Sequence, residues 1–268
     1  SLVKKGSSKE NALTTVATQL GLSEAALTSD PIQKLTSGTA DEKAHAAKVM
    51  QKSLVIQKAA EMFAKSVTAD GDTDTMNTVA ESVMDSVAAA MSAGSGKTFD
   101  DVMADTDGIA NGVSADLAAK ITVTNLSEKL NAASDSAKSV VKMVNAMNLD
   151  DLTSATDVTA VLQAKSKSVE VATSSIEKKV KEIATSADVA TIATAKANAK
   201  KVTDAVTMLG GVEGIAAKIV NNTTIKAADF AASFISDEVI ATQSAQYASF
   251  EAAGLNEDNI LNIGADTS

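Results

Sequence analysis

Four carboxylates within twelve residues, Asp70, Asp72, Asp74 and Glu81, form the constellation whose spacing most clearly carries a chemistry. Counted from Asp70 they fall at the first, third, fifth and twelfth positions of a calcium loop. A hard cation gathers six to eight oxygens there, from side chains on a tight turn and from a bidentate Glu at its end. Calcium is accordingly the candidate cofactor, with these four side chains as its candidate ligands. Two positions depart from the pattern. Thr75 stands where a glycine with positive φ is usual, and Thr78 stands where an apolar side chain is usual. The competing reading is an ordinary turn between helices, in which Asp74 caps the second helix and the acids lie near its positive N-terminal end. A second acidic run, Asp105-Thr106-Asp107-Gly108, has Asp116 at its twelfth position, and Asp reaches less far than Glu.

The other residues able to act on a substrate sit in settings that packing explains. Gly94-Ser95-Gly96-Lys97-Thr98 invites a phosphate-loop reading. However, Met91 occupies the place of the required earlier glycine, and helical spacing precedes the run where a buried strand is needed. A helix stop followed by a Thr98 cap accounts for the same residues. His45, the single histidine, lies in Ala44-His45-Ala46-Ala47 with no nucleophile near it in sequence. The nine methionines share stripes with Val and Leu, as core filler does. Tyr247 has no paired acid pattern beside it, so packing is its default role. Asn221-Asn222-Thr223-Thr224 contains glycosylation sequons that have no meaning in a bacterial protein. With no catalytic cluster, the expectation is a protein that is not an enzyme.

Composition narrows the partners. All 24 basic residues are Lys, and the net charge is −10. Without Arg the chain lacks the usual bidentate grip on phosphate, and a polyanion would be repelled at long range, so no nucleic-acid partner is expected. The chain has no Cys, which removes disulfides, thiolate metal sites and cysteine nucleophiles. No apolar run approaches 18 residues, so no transmembrane segment is expected. A start at Ser1 and the lack of a signal-like apolar region suggest a processed chain or a piece of a larger one.

The elements that must position these groups are helices. Hydrophobic residues make up 45% of the chain and aromatics only 2%, so the core has to be built from Ala, Val, Ile, Leu and Met in close contact. A single proline, Pro31, leaves almost the whole chain free to be helical. Short helices are expected first: one with Leu13, Val16, Ala17 and Leu20 on its face and a stop at Gly21, one capped by Ser23, and one opened by Asp30-Pro31. Thr39 and Glu42 form a capping box for a long helix, whose stripe includes Val55, Ala59, Met62, Phe63 and Val67. After the acidic loop a second helix returns through Val79, Val83, Val87 and Met91.

Further along, Thr98 and Asp101 open a short helix that breaks near Asp107-Gly108, and Ser114 caps another. Ile121 to Thr124 reads as an extended connector. Asn125 caps the next helix, a polar joint covers Asn148 to Asp157, a long helix runs to about Ala184, and Ser186 begins a further one ending at Gly210-Gly211. The tail holds Phe230, Phe234, Tyr247 and Phe250, four of the six aromatics. It is expected to dock as a lid, with an interface as the alternative. The fold class is therefore all-α: a bundle of long antiparallel helices with a short-helix N-terminal corner. It reads as one domain over 1–268, with a subdivision into 1–113 and 114–268 as the alternative.

Ala12-Leu13-Thr14-Thr15-Val16, Leu20-Gly21-Leu22-Ser23, Asp30-Pro31 and the Ala- and Gln-rich helix from Gln51 to Ala64 together resemble an Ala-rich helical module. That module is found in large surface, adhesin-like proteins and lipoproteins of Gram-negative, often marine, bacteria. The likeness covers about the first quarter of the chain and departs at Asn11-Ala12, where the family usually has proline. It implies a secreted or cell-surface location in a bacterium, often beside calcium-binding segments. It also implies a non-enzymatic structural or adhesive role, with copies of itself or other surface proteins as partners. Two alternatives share the composition: a helical carrier of an apolar small ligand, and a secreted effector or phage structural protein.

Overall fold

The computed structural model describes residues 8–68, 72–92, 96–220 and 236–256, and every regular element among them is an α-helix. The N-terminal corner follows its capping residues. Helix α1 (Lys9–Leu20) starts where the Ser8 side chain accepts from the Asn11 N–H. It stops at Gly21, whose φ of 62° is the left-handed conformation that glycine adopts without a Cβ penalty. Ser23 caps α2 (Glu24–Thr28), and Asp30 caps α3 (Pro31–Ser37), with Pro31 at the first helical position.

The central element is α4 (Ala40–Val67), 28 residues opened by the Thr39–Glu42 capping box. At about 1.5 Å per residue it runs roughly 42 Å. Helix α5 (Thr73–Ser92) returns along it, and α6 (Phe99–Ala104) follows behind a second capping box from Thr98 and Asp101. The chain then breaks at Asp105, not at Asp107-Gly108. Asp105 caps α7 (Thr106–Leu117), which continues through both residues and through Ser114.

Three other expected joints shift for similar reasons. Asn125 precedes α8 (Leu126–Asn145) but does not cap it. It sits in the left-handed region with φ 55°, and its side-chain amide donates to the Ala187 carbonyl instead. The polar joint folds into the short helix α9 (Asp150–Ser154), because Leu152 turns into the core. After α10 (Val158–Thr185) the next cap is Asp188 and not Ser186. Asp188 and Thr191 bond reciprocally at the start of α11 (Val189–Met208).

Helix α4 packs against α3, α5, α8 and α10, and a single apolar cluster extends from Val55 on α4 to Ile215 on α12 (Gly211–Val220). Ala59, Ala133, Ala137, Ala172 and Ala199 are fully buried at helix contacts, filling the role that the aromatic-poor composition requires. Phe63, Met62, Leu130 and Ile176 supply the bulk between them. In the tail, α13 (Asp237–Ala252) packs on α11, with Tyr247 buried and the Lys200 ammonium 5.0 Å from its ring centroid. Phe230 and Phe234 lie outside the described residues. No described helix is long and apolar enough to cross a membrane.

Candidate functional site

Of the four expected calcium ligands, Asp70 lies outside the described residues. Asp72 is the cap of α5, correcting the expectation that Asp74 caps it. Its carboxylate accepts from the Thr75 hydroxyl at 2.6 Å and the Thr75 N–H at 3.0 Å. These two bonds, the hydroxyl's first, hold its pKa below the usual carboxylate value. Since α5 begins at Thr73, the sequence from the fourth loop position onward is helix. Asp74 lies in the first turn and exposed Glu81 two turns further along, about 10 Å up the axis. Glu81 does not close a turn over Asp72, and among the described residues no three His, Cys, Asp or Glu side chains gather as a metal site.

The second acidic run is also used as helix punctuation. Asp105 accepts from the Gly108 N–H at 3.1 Å, and Asp107 accepts from the Ser134 hydroxyl at 2.6 Å, joining α7 to α8. In the glycine-rich run, Gly94 and Ser95 lie outside the described residues, and Thr98 caps α6 as expected. His45 is half-buried on α4.

The chemistry that sequence reading missed is inside the bundle. Glu177 on α10 is buried, and Lys58 and Lys65 of α4 both pair with it, Lys58 at 3.1 Å; the Thr173 hydroxyl donates to it at 2.8 Å. Burial pushes the Glu177 carboxyl up, but the Lys65 hydrogen bond and the two lysine charges outweigh that and keep it below its usual range. Burial likewise pushes Lys58 down. Its bonds and charges with Glu61, at 2.6 Å, and Glu177 reverse the shift, so its pKa is raised.

Three more buried side chains tie helices together. Lys52 of α4 reaches Asp100 at 2.6 Å and Asn145 at 3.0 Å. Lys165 of α10 reaches Asp151 at 3.0 Å and Glu213 at 3.1 Å. Lys129 of α8 donates to the Ala184 carbonyl at 2.7 Å, in the last turn of α10, and burial pushes its ammonium pKa down.

Side-chain amides serve other helix ends. The last carbonyls of a helix have no partner within it. Gln51 of α4, also buried, donates to the Val144, Asn145 and Met147 carbonyls at 3.1, 3.1 and 3.3 Å and so closes the end of α8. Gln19 of α1 donates to the Met91 carbonyl at 2.5 Å near the end of α5. In each case the partner is many residues away in sequence, so no local pattern announces it.

An open cleft of about 610 Å³ lies where α1 and α2 meet α4 and α5. Leu13, Val16, Ile56, Met84, Val87 and Met91 are among the side chains that line it. Helix α1 rests on α5 through Ala12 against Ala88 and through the Gln19–Met91 bond. Compared with known proteins, no family model matches the chain, and no curated protein or solved structure matches it either.

Proposed function

We propose that the chain is a non-enzymatic structural or adhesive module of a bacterial cell surface or extracellular assembly, which associates with copies of itself or with other surface proteins. The observation that supports this reading is the direction in which the buried charges face. Lys52, Lys58, Lys165 and Glu177 are each bonded to groups on other helices, and Lys129 and Gln51 close the ends of neighbouring helices. Groups of that kind hold one packing arrangement in place rather than face a substrate, and removing either member of such a pair is costly. Ile32 and Val189, each more than half exposed, offer apolar points for association.

Sedimentation equilibrium of the purified chain over a range of concentrations, in calcium and in a chelator, tests the reading. Reversible association or filament formation is the expected result. A compact monomer at every concentration that also turns over a substrate would overturn it.

A further inference from the structure

The cleft between α1, α2, α4 and α5 is lined mainly by apolar side chains, and its charged lining residues are cationic. The protein carries 34 acids against 24 lysines, yet among the described residues no carboxylate lines this cleft. Its charged lining residues are Lys9 and Lys52. The Lys52 ammonium is already turned to Asp100 and Asn145 and lies 5.7 Å from the Phe99 ring centroid, so it contributes mainly its alkyl stem. Lys9, exposed in the first turn of α1, makes no ion pair among the described residues and stands at the cleft as an available cation.

The floor is apolar. Val87, Ala88, Met91 and Phe99 are nearly fully buried, while Met84 on the wall is 51% exposed. A volume of about 610 Å³ falls within the roughly 300–1,000 Å³ of small-molecule sites, whose walls are mostly apolar with a few oriented polar groups. Met84 and Met91, unbranched and with several rotatable bonds, let the wall adapt to the shape of a flexible chain.

We infer that this cleft binds a free single-chain amphiphile with an anionic head group, its alkyl chain along Val16, Ile56, Met84 and Val87 and its head at Lys9. The inference stands apart from the structural role proposed above, and either can fail alone. The sign of the head group is the discriminating feature. A protein of net charge −10 attracts cations at long range, so a preference for an anionic amphiphile must come from a local site.

Isothermal titration of the full chain with laurate, lauryl alcohol and lauryl trimethylammonium, each below its micelle concentration, reads this directly. The expected order is laurate tightest, with saturable one-to-one binding. Lys9→Glu should weaken laurate about threefold or more, as an exposed charge contact implies, while leaving the alcohol nearly unchanged. Met84→Glu should weaken both about tenfold by placing a carboxylate against the alkyl chain. Both positions are exposed, so an unchanged melting temperature accompanies the loss. No saturable laurate binding, tighter binding of the trimethylammonium compound, or affinities indifferent to both substitutions would overturn the inference. Co-flotation with phosphatidylglycerol vesicles would overturn it too, by assigning the face to a membrane surface.

Discussion

Glu177 is the carboxylate on which two lysines converge, and its charge state matters to stability more than that of the exposed acids. Replacing it with Gln keeps the shape and removes the charge, leaving Lys58 with Glu61 alone and Lys65 without its partner. Breaking a buried pair by removing one member costs about 3 kcal/mol or more. For a chain of this length that corresponds to a fall in melting temperature of roughly 6–10 °C. The pH dependence has a definite sign. The Glu177 pKa is depressed in the folded state, so its contribution is complete above the unfolded carboxylate pKa and disappears as pH falls through the lower, folded value. The Lys58 pKa is raised, so its contribution is lost only as pH climbs past the ordinary lysine value of 10.5. Thermal melts of the unaltered protein and Glu177→Gln should therefore differ most at neutral pH, and the gap should close in acid below the ordinary carboxylate range. A gap that persists there would mean that shape and not charge is lost.

Among helices, α4 holds its neighbours by serving their ends as well as by packing. Gln51 is the clearest case, because one buried amide meets three carbonyls at the end of α8. Gln51→Ala should destabilise by about 2 kcal/mol, since buried acceptors are left without donors. Gln51→Glu should be worse than Ala, because a carboxylate would face carbonyl oxygens at the negative end of a helix. Urea unfolding of the three proteins gives the order, and Glu ranking above Ala would refute the capping role. The same element shows what the sequence could and could not disclose. The Thr39–Glu42 box, the Ser23 and Asp30 caps and the Gly21 stop were legible because cap and helix end lie within a few residues. The shift of the α5 cap from Asp74 to Asp72 follows from a bond that both acids could have offered. In the candidate calcium loop the acids match by count, and the count does not disclose that the helix begins as early as Thr73. Gln51 and Glu177 were not legible at all: their partners lie 93 and 119 residues away for the Val144 and Lys58 bonds.

At the scale of the whole molecule, the alternative subdivision after residue 113 cuts through α7, and the packing crosses that seam. Helix α4 lies against α8 and α10, and α7, which spans the seam, lies against α8, so the apolar cluster from Val55 to Ile215 draws on both parts. Polar ties cross as well: Lys58 to Glu177, Gln51 to the end of α8, and Lys52 to Asn145. Separating 1–113 from 114–268 would divide the shared apolar cluster, with Met62 and Phe63 left on one piece and Leu130, Val140 and Ile176 on the other. It would also strand buried Glu177 away from both lysines. Neither piece should then show the sharp thermal transition or the dispersed amide spectrum of the intact chain. Mixing the two should restore both signals, because the missing surface of each is supplied by the other. A piece that melts cooperatively alone, at a temperature near that of the intact protein, would establish two folding units and would mean that the contacts of α4 with α8 and α10 join finished domains rather than build one core.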